Sequence, residues 1–335
     1  MSAQALGVQL ADCLTAAWDG PVSVLDLHRL SGGASMETWL ATTDGPSGKS
    51  RVIVRRDRPG VSHSSLAVEA RVLRAAHAAG VPVAEVLAES TGDGPPFLVM
   101  AYLEGETIPR RLLRDEAYSA AREALVEQVG AALAGTHAVP AADVAFLGPA
   151  QTPAKALAAL TAALRAHDVD SPVLELALRW LADRLPAPTP PVLVHGDLRT
   201  GNLMVGPEGL VAVLDWELAH TGQALEDLGW FCARAWRFGA DDRPAGGFGD
   251  RAALVDAYVR AGGALVDPAD LRFWEVFATL RWAVTCLAQV AVHLRGDVRS
   301  VELAAIGRRL GEAEYDLVLL LREDLGAAAP SEGPR

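Results

Sequence analysis

The stretch His195-Gly196-Asp197-Leu198-Arg199-Thr200-Gly201-Asn202 sets a carboxylate five residues before an amide, directly after the apolar run 192–194. It continues through Leu203-Met204-Val205, a Gly206-Pro207-Glu208-Gly209 turn and the apolar run 210–214 to Asp215. Two short apolar runs around such a turn read as a hairpin. The hairpin returns Asp215 to the end where Asn202 sits. One amide oxygen and one carboxylate there suit Mg²⁺, a hard cation that keeps several waters and completes its shell with phosphate oxygens. Asp197 is left free to accept a proton from a hydroxyl.

Elements upstream must hold a partner for this loop. Residues 3–18 have helical spacing (Leu6, Val8, Leu10, Leu14, Trp18). Segments 22–30, 36–42 and 51–55 read as strands, divided by Ser31-Gly32-Gly33-Ala34-Ser35 and by the turn 44–48. A helix is expected from Ser62, an N-capping residue type, to Ala79, where Gly80-Val81-Pro82 stops it. Segments 83–88 and 96–103 read as two more strands. After Gly105 the pattern turns helical: 116–137, 153–167, 172–185 and most of the chain from 225. An α+β architecture is expected, with a strand-rich unit at 1–104, a helix-rich unit at 105–325 and a disordered tail at 326–335.

D-x-x-x-x-N, a short hairpin and a second Asp follow the order of parts that kinases use for phosphoryl transfer. On these residues the chain resembles the aminoglycoside phosphotransferase-like family, which includes choline and homoserine kinases. Its pattern is H-G-D-x-x-x-x-N followed by D-[FW]-[ED], here His195 to Asn202 and Asp215-Trp216-Glu217. The segment Gly222 to Trp230 is similar to the family's G-[DQ]-P-x-x-D-L-[AG], although Gln223-Ala224 departs from the usual Asp-Pro. The resemblance covers about residues 20 to 320. The wording of 214–222 and 234–238 is closest to the kinase-like domain fused to acyl-CoA dehydrogenases in animals.

The resemblance implies a two-lobed, protein-kinase-like fold with a small antiparallel-sheet N-lobe and a larger helical C-lobe. It implies ATP and Mg²⁺ as cofactors, Asp197 as the catalytic residue, and Asn202 and Asp215 as metal ligands. Gly32, Gly33, Ala34 and Ser35 would cover the phosphates, where glycines permit close backbone approach. Arg55 would stand where the commonest pattern has a phosphate-binding Lys, with Glu69 on the next helix orienting it. Strand alternation puts Arg56 on the opposite face, expected to be solvated. Met100, Tyr102 and Leu103 would line the adenine site. His195 and Asp227 would support the loop structurally. For the acceptor side, Glu217, Arg234, Trp236, Arg237 and Arg281 are the candidates, and the cations among them favour an anionic or acyl substrate.

Composition narrows the field. The chain has 335 residues and a net charge of −12, so no large basic surface and no nucleic-acid partner are expected. Three cysteines without ligand spacing argue against a disulfide framework or structural zinc and for packed thiols. No leader segment is read at the N-terminus. The apolar stretch 276–294 carries Arg281, Gln289 and His293, which favours a buried helix over a membrane span. A cytoplasmic protein is therefore expected, one that phosphorylates a hydroxyl of a small molecule such as a hydroxyacyl-CoA. The alternatives are an aminoglycoside or macrolide O-phosphotransferase and a nucleotide-binding pseudokinase scaffold.

Overall fold

The computed structural model describes residues 3–30, 36–57, 66–90 and 95–327. Helix α1 (Ala3–Ala17) buries Leu6, Leu10 and Leu14, one per turn, against a sheet of β1 (Ser23–Arg29), β2 (Met36–Gly45), β3 (Gly48–Asp57), β4 (Val86–Glu89) and β5 (Phe97–Ala101). The strand order is β1-β2-β3-β5-β4 with every pair antiparallel. Alternation along β3 divides its side chains between two faces. Val52 and Val54 pack with Ala41, Val99 and the α1 leucines. Ile53 packs on the other side, in the core shared with Leu66, Val72, Leu73 and Ala76 of α2 (Leu66–Ala78). Arg55 follows Ile53 on that inner face.

The remainder is helical: α3 (Pro109–Arg114), α4 (Ser119–His137), α5 (Pro153–Arg165), α6 (Pro172–Asp183), α7 (Ala224–Cys232), α8 (Arg251–Arg260), α9 (Pro268–Arg295), α10 (Val301–Arg308) and α11 (Leu310–Ala327). This is the two-lobed, kinase-like α+β architecture expected. Thr152 and Ser171 cap α5 and α6, each ahead of a proline at the first helical position, as termini of that kind favour. By length and composition α9 could cross a membrane. Here its aromatic and aliphatic side chains Phe273, Trp274, Val276 and Leu280 are instead buried among α6, α7 and α11.

Some expectations shift. The strand drawn at 83–88 starts only at Val86, because Val83 and Ala84 are buried without ladder partners. The helix drawn at 116–137 opens as a single 3-10 turn, Glu116–Tyr118. Ser62 lies outside the described residues. Helix α11 runs to Ala327, past the start expected for the tail, and 328–335 lie outside the described residues. Two two-stranded ladders sit within the helical lobe: β6 (Val192–Val194) with β9 (His220–Gly222), and β7 (Leu203–Gly206) with β8 (Gly209–Val213). Strand β9 was not legible beforehand, since His-Thr-Gly is too short and too polar to signal a strand.

Candidate active site

Strand β6 delivers the chain to Gly196, whose φ is +80°. A Cβ there would lie 2.5 Å from the Leu218 carbonyl oxygen, so only glycine fits. The loop is then held from beneath by Asp227, in the first turn of α7. Its Oδ2 accepts the His195 N–H at 2.8 Å and its Oδ1 accepts the Gly196 N–H at 2.9 Å. Burial alone would raise the Asp227 carboxyl, but the His137 contact at 3.3 Å and the His195 N–H outweigh it and hold it below the ordinary aspartate range.

His195 closes the loop from the other side. Its Nδ1 accepts the Asp197 N–H at 3.1 Å, so the proton sits on Nε2, which donates to the Leu214 carbonyl at 3.0 Å. Complete burial pushes the imidazole below its ordinary value, which keeps this neutral tautomer. Both ring nitrogens are therefore committed to the backbone, one on each side of the site.

Asp197 receives three donors. Asn202 Nδ2 donates to Oδ2 at 2.8 Å and to the Asp197 carbonyl at 2.8 Å. Arg199 Nε reaches Oδ2 at 3.2 Å. Trp230 Nε1 donates to Oδ1 at 2.9 Å. The hairpin pairs Leu203 with Val213, and the Leu214 N–H donates to the Asn202 carbonyl at 2.8 Å. Asp215 follows at once, with φ at +67°. A left-handed conformation at a non-glycine residue is unfavourable by about 1–3 kcal/mol and is commonest at functional sites. From the sheet, Arg55 Nη1 pairs with Glu69, which is 2% exposed, and Nη2 lies 3.5 Å from Asp215 Oδ1. One guanidinium thus spans β3, α2 and the end of the hairpin.

Residues Met100, Tyr102 and Leu103 lead from β5 toward the helical lobe. Ile53 pairs with Met100 and Arg55 with Leu98, so Met100 shares the sheet face of Arg55. Glu106 and Val205 then exchange backbone hydrogen bonds at 2.9 and 3.0 Å, which ties the connection to the hairpin. A Cβ on Gly105 would fall 2.6 Å from Met204 Cγ. Gly32, Gly33, Ala34 and Ser35 lie outside the described residues.

Two expectations need correction. Arg56 is not solvated: it is 11% exposed and pairs with Glu37 at 2.5 Å, because Glu37 sits directly opposite it on β2. The acceptor-side candidates also divide. Arg234 pairs with Asp241 at 2.6 Å and Asp316 at 3.4 Å, and Arg237 donates to the Cys232 and Asp241 carbonyls. Both line a separate cavity of about 280 Å³ with Arg251, Glu275 and Asp316, which Asp197 does not line. Trp236 is 4% exposed and packed between Trp230 and Trp282. Arg281 reaches α7 instead: it lies 4.4 Å over the Trp230 ring and 4.0 Å from Glu226. Glu217 is half-buried, two residues past Asp215. Arg199 and Trp230 were missed as site residues. The offset of two from Asp197 could have marked Arg199, whereas nothing local marks Trp230, thirty-three residues away.

The donor set fits a Mg²⁺ ion. Asn202 spends its amide hydrogens on Asp197, which leaves its oxygen as an acceptor, and the Asp215 side chain is 34% exposed. No group of three or more His, Cys, Asp or Glu side chains suited to a metal occurs among the described residues. A sparse set of that kind matches a cation that keeps its waters and takes phosphate oxygens.

With this geometry in place, comparison with known proteins is decisive. A family model described as "Phosphotransferase enzyme family" matches residues 26–274. The chain belongs to the phosphotransferase enzyme family. Among curated relatives of this phosphotransferase, acyl-CoA dehydrogenase family member 10 of Mus musculus is 31% identical over 195 residues, 54% of this chain and 18% of the relative. Family member 11 of Gallus gallus is 29% identical over 242 residues, 66% of this chain and 29% of the relative. The phosphotransferase spans less than a third of the length of these relatives. Among solved structures, a Ralstonia eutropha protein provisionally assigned as an aminoglycoside phosphotransferase has a TM-score of 0.74 at 22% identity, covering 96% of this chain and 98% of that one. Spectinomycin phosphotransferase, solved with ADP and spectinomycin, has a TM-score of 0.64 at 12% identity, covering 96% and 98%.

Proposed function

We propose that this phosphotransferase moves the γ-phosphoryl group of ATP to a hydroxyl of a small molecule, and that Asp197 is its general base. The observation that carries the reading is the convergence of Asp197, Asn202 and Asp215, with Arg55 joined to both Glu69 and Asp215. Mg²⁺, held by Asn202 and Asp215, would supply charge neutralisation at the phosphates and a fixed template for them.

The chain's own residues do the remainder. Asp197 takes the acceptor's hydroxyl proton as the acceptor oxygen bonds the γ-phosphorus and the bond to the departing ADP oxygen breaks. Arg55 contributes a cation to the α- and β-phosphates, oriented by Glu69. Asp227 and His195 keep the loop in one backbone conformation, so the base is pre-aligned and catalysis is chiefly positioning plus electrostatics.

For the acceptor we favour a hydroxylated metabolite with an anionic or acyl portion, such as a hydroxyacyl thioester. Arg199 and Arg281 flank Asp197 through direct contact and through Trp230, which supports an acceptor carrying negative charge beside its hydroxyl. The curated relatives, named as acyl-CoA dehydrogenase family members, point the same way. An antibiotic acceptor is the second reading, motivated by the neighbour that binds spectinomycin. The test incubates the protein with Mg·ATP and paired panels of hydroxyacyl-CoAs and aminoglycosides or macrolides, read by mass gain of one phosphoryl group. Transfer to a hydroxyacyl-CoA, lowered about a thousandfold in Asp197→Asn, is expected. Transfer confined to antibiotics would select the second reading. ATP binding with no transfer to any hydroxyl would leave a nucleotide-binding scaffold.

A further inference from the structure

Asp197 has four lone-pair directions on its two carboxylate oxygens. Oδ2 is filled by Asn202 Nδ2 at 2.8 Å and Arg199 Nε at 3.2 Å. Among the described residues Oδ1 is used once, by Trp230 Nε1 at 2.9 Å. One direction, on Oδ1, stays open to an incoming hydroxyl. The donor beside that opening is therefore an indole N–H from α7, a helix outside the loop.

The indole is fixed on every side that matters. Trp230 is buried, and its ring meets Trp236 at a centroid distance of 5.1 Å. Trp236 in turn meets Trp282 of α9 at 4.8 Å. The Arg281 guanidinium lies 4.4 Å over the Trp230 ring, and a cation on the face of an indole draws electron density from the ring and strengthens the N–H as a donor. One residue before it, Gly229 lets α7 approach α9 so closely that a Cβ would sit 2.6 Å from the Trp274 carbonyl carbon. The rotamer of Trp230 is thus set by the packing of α7 on α9.

We propose that Trp230 is a positioning residue: its indole N–H holds Oδ1 of Asp197 and leaves a single lone pair of that oxygen aimed at the acceptor. This inference rests on Asp197 being the base. It adds that the helical lobe reaches the reacting atom through one aromatic hydrogen bond, with Arg281 behind it. Asn202 cannot substitute for Trp230, because its amide hydrogens are already engaged on Oδ2 and the Asp197 carbonyl.

Two measurements on the full chain test it. In the ligand-free protein, the ¹H–¹⁵N indole signal of Trp230 is identified by its disappearance in Trp230→Phe. It is expected far downfield in the wild type, as for an N–H bound to a carboxylate, and to move upfield in Asp197→Ala. A Trp230 signal unchanged by Asp197→Ala overturns the proposal without reference to any reaction. The second measurement is phosphate release from Mg·ATP with water as acceptor, repeated with any acceptor found above. Trp230→Phe keeps an aromatic ring and removes the donor. It is expected to lower kcat by about a hundredfold, the scale of a misplaced catalytic group, while KM for ATP changes less than about twofold. Loss of activity in Asp197→Ala with full kcat in Trp230→Phe overturns the positioning role and spares the base. Full activity in Asp197→Ala removes the base assignment on which the inference rests. Equal shifts in kcat and KM, with a lowered Tm, would reduce Trp230 to packing.

Discussion

The loop 195–202 and the turn 234–237 both carry polar side chains and both lie beside α7, yet they differ in how far those side chains are spent on the backbone. In the loop, side chains are spent on backbone groups: Asp227 on two N–H donors, His195 on an N–H and a carbonyl, Asn202 on the Asp197 carbonyl. At the turn, Arg234 pairs with Asp241 and Asp316, Arg237 donates to two backbone carbonyls, and Arg251 of α8 pairs with Glu275 across the same cavity. Backbone partners fix a conformation, because each buried N–H or C=O must be satisfied somewhere. Charge partners at a turn fix little, and they are exchangeable. A carboxylate proposed to act as a base needs the first kind of support, and an ion-paired cavity wall tolerates the second.

The largest test of this contrast is Asp227→Ala, which leaves two buried N–H groups and His137 without their acceptor. A loss of about 3–5 kcal/mol is expected in denaturant unfolding, as for removing one partner of a buried charged network. The sign with pH follows from the depressed folded value of Asp227. Its stabilisation is present above the ordinary aspartate value of about 3.9 and is lost as pH falls through the lower folded value. The gap between wild type and variant should therefore narrow only in strong acid.

Asp316 should behave in the reverse sense. Burial raises it to about 6, despite Arg234. A raised folded value favours the folded state below the unfolded value and loses that advantage as pH climbs through 6. Asp316→Asn is expected to stabilise the protein at pH 8 by on the order of 2 kcal/mol, with the gain vanishing near pH 4. Destabilisation at pH 8 would mean that the Arg234 pair outweighs burial.

Smaller effects sharpen the picture. Arg55→Ala removes a charge-assisted contact and should weaken ATP binding by about tenfold, measured by calorimetry in the presence of Mg²⁺. Arg55→Lys should recover part of this, since it keeps the charge and loses the fork that bridges Glu69 and Asp215. Smallest is Arg234→Gln, expected to alter phosphoryl transfer by less than about threefold and stability by under about 1 kcal/mol. A large loss of transfer in that variant would bring the cavity at 234–237 back into the acceptor site.

The same contrast explains what could be read from the chain alone. Asp197, Asn202 and Asp215 were legible because a short loop and a four-residue hairpin turn bind them together within nineteen positions, and ladder pairing leaves little freedom. Arg55 and Glu69 followed from the family resemblance, which asks for a cation on that strand and a carboxylate on the next helix. Trp230, Arg199 and the orientation of Arg234 were not legible, since each depends on how α7, α9 and α11 pack in three dimensions. Arg56 misled for a related reason: alternation gives the face, but only the β2–β3 register gives Glu37 as its neighbour. Periodicity reports a direction, and it does not report the partner waiting there.

At Asp215 the backbone and the proposed activity pull in different directions. Held at φ +67°, it occupies a backbone well that glycine enters at no steric cost. Selecting variants of this chain for heat resistance alone is therefore expected to enrich Asp215→Gly, relieved of about 1 kcal/mol of backbone strain and stripped of the carboxylate that meets Arg55 from the hairpin. Any library screened for robustness needs an activity gate at this codon, because Asp215 is also a proposed metal ligand.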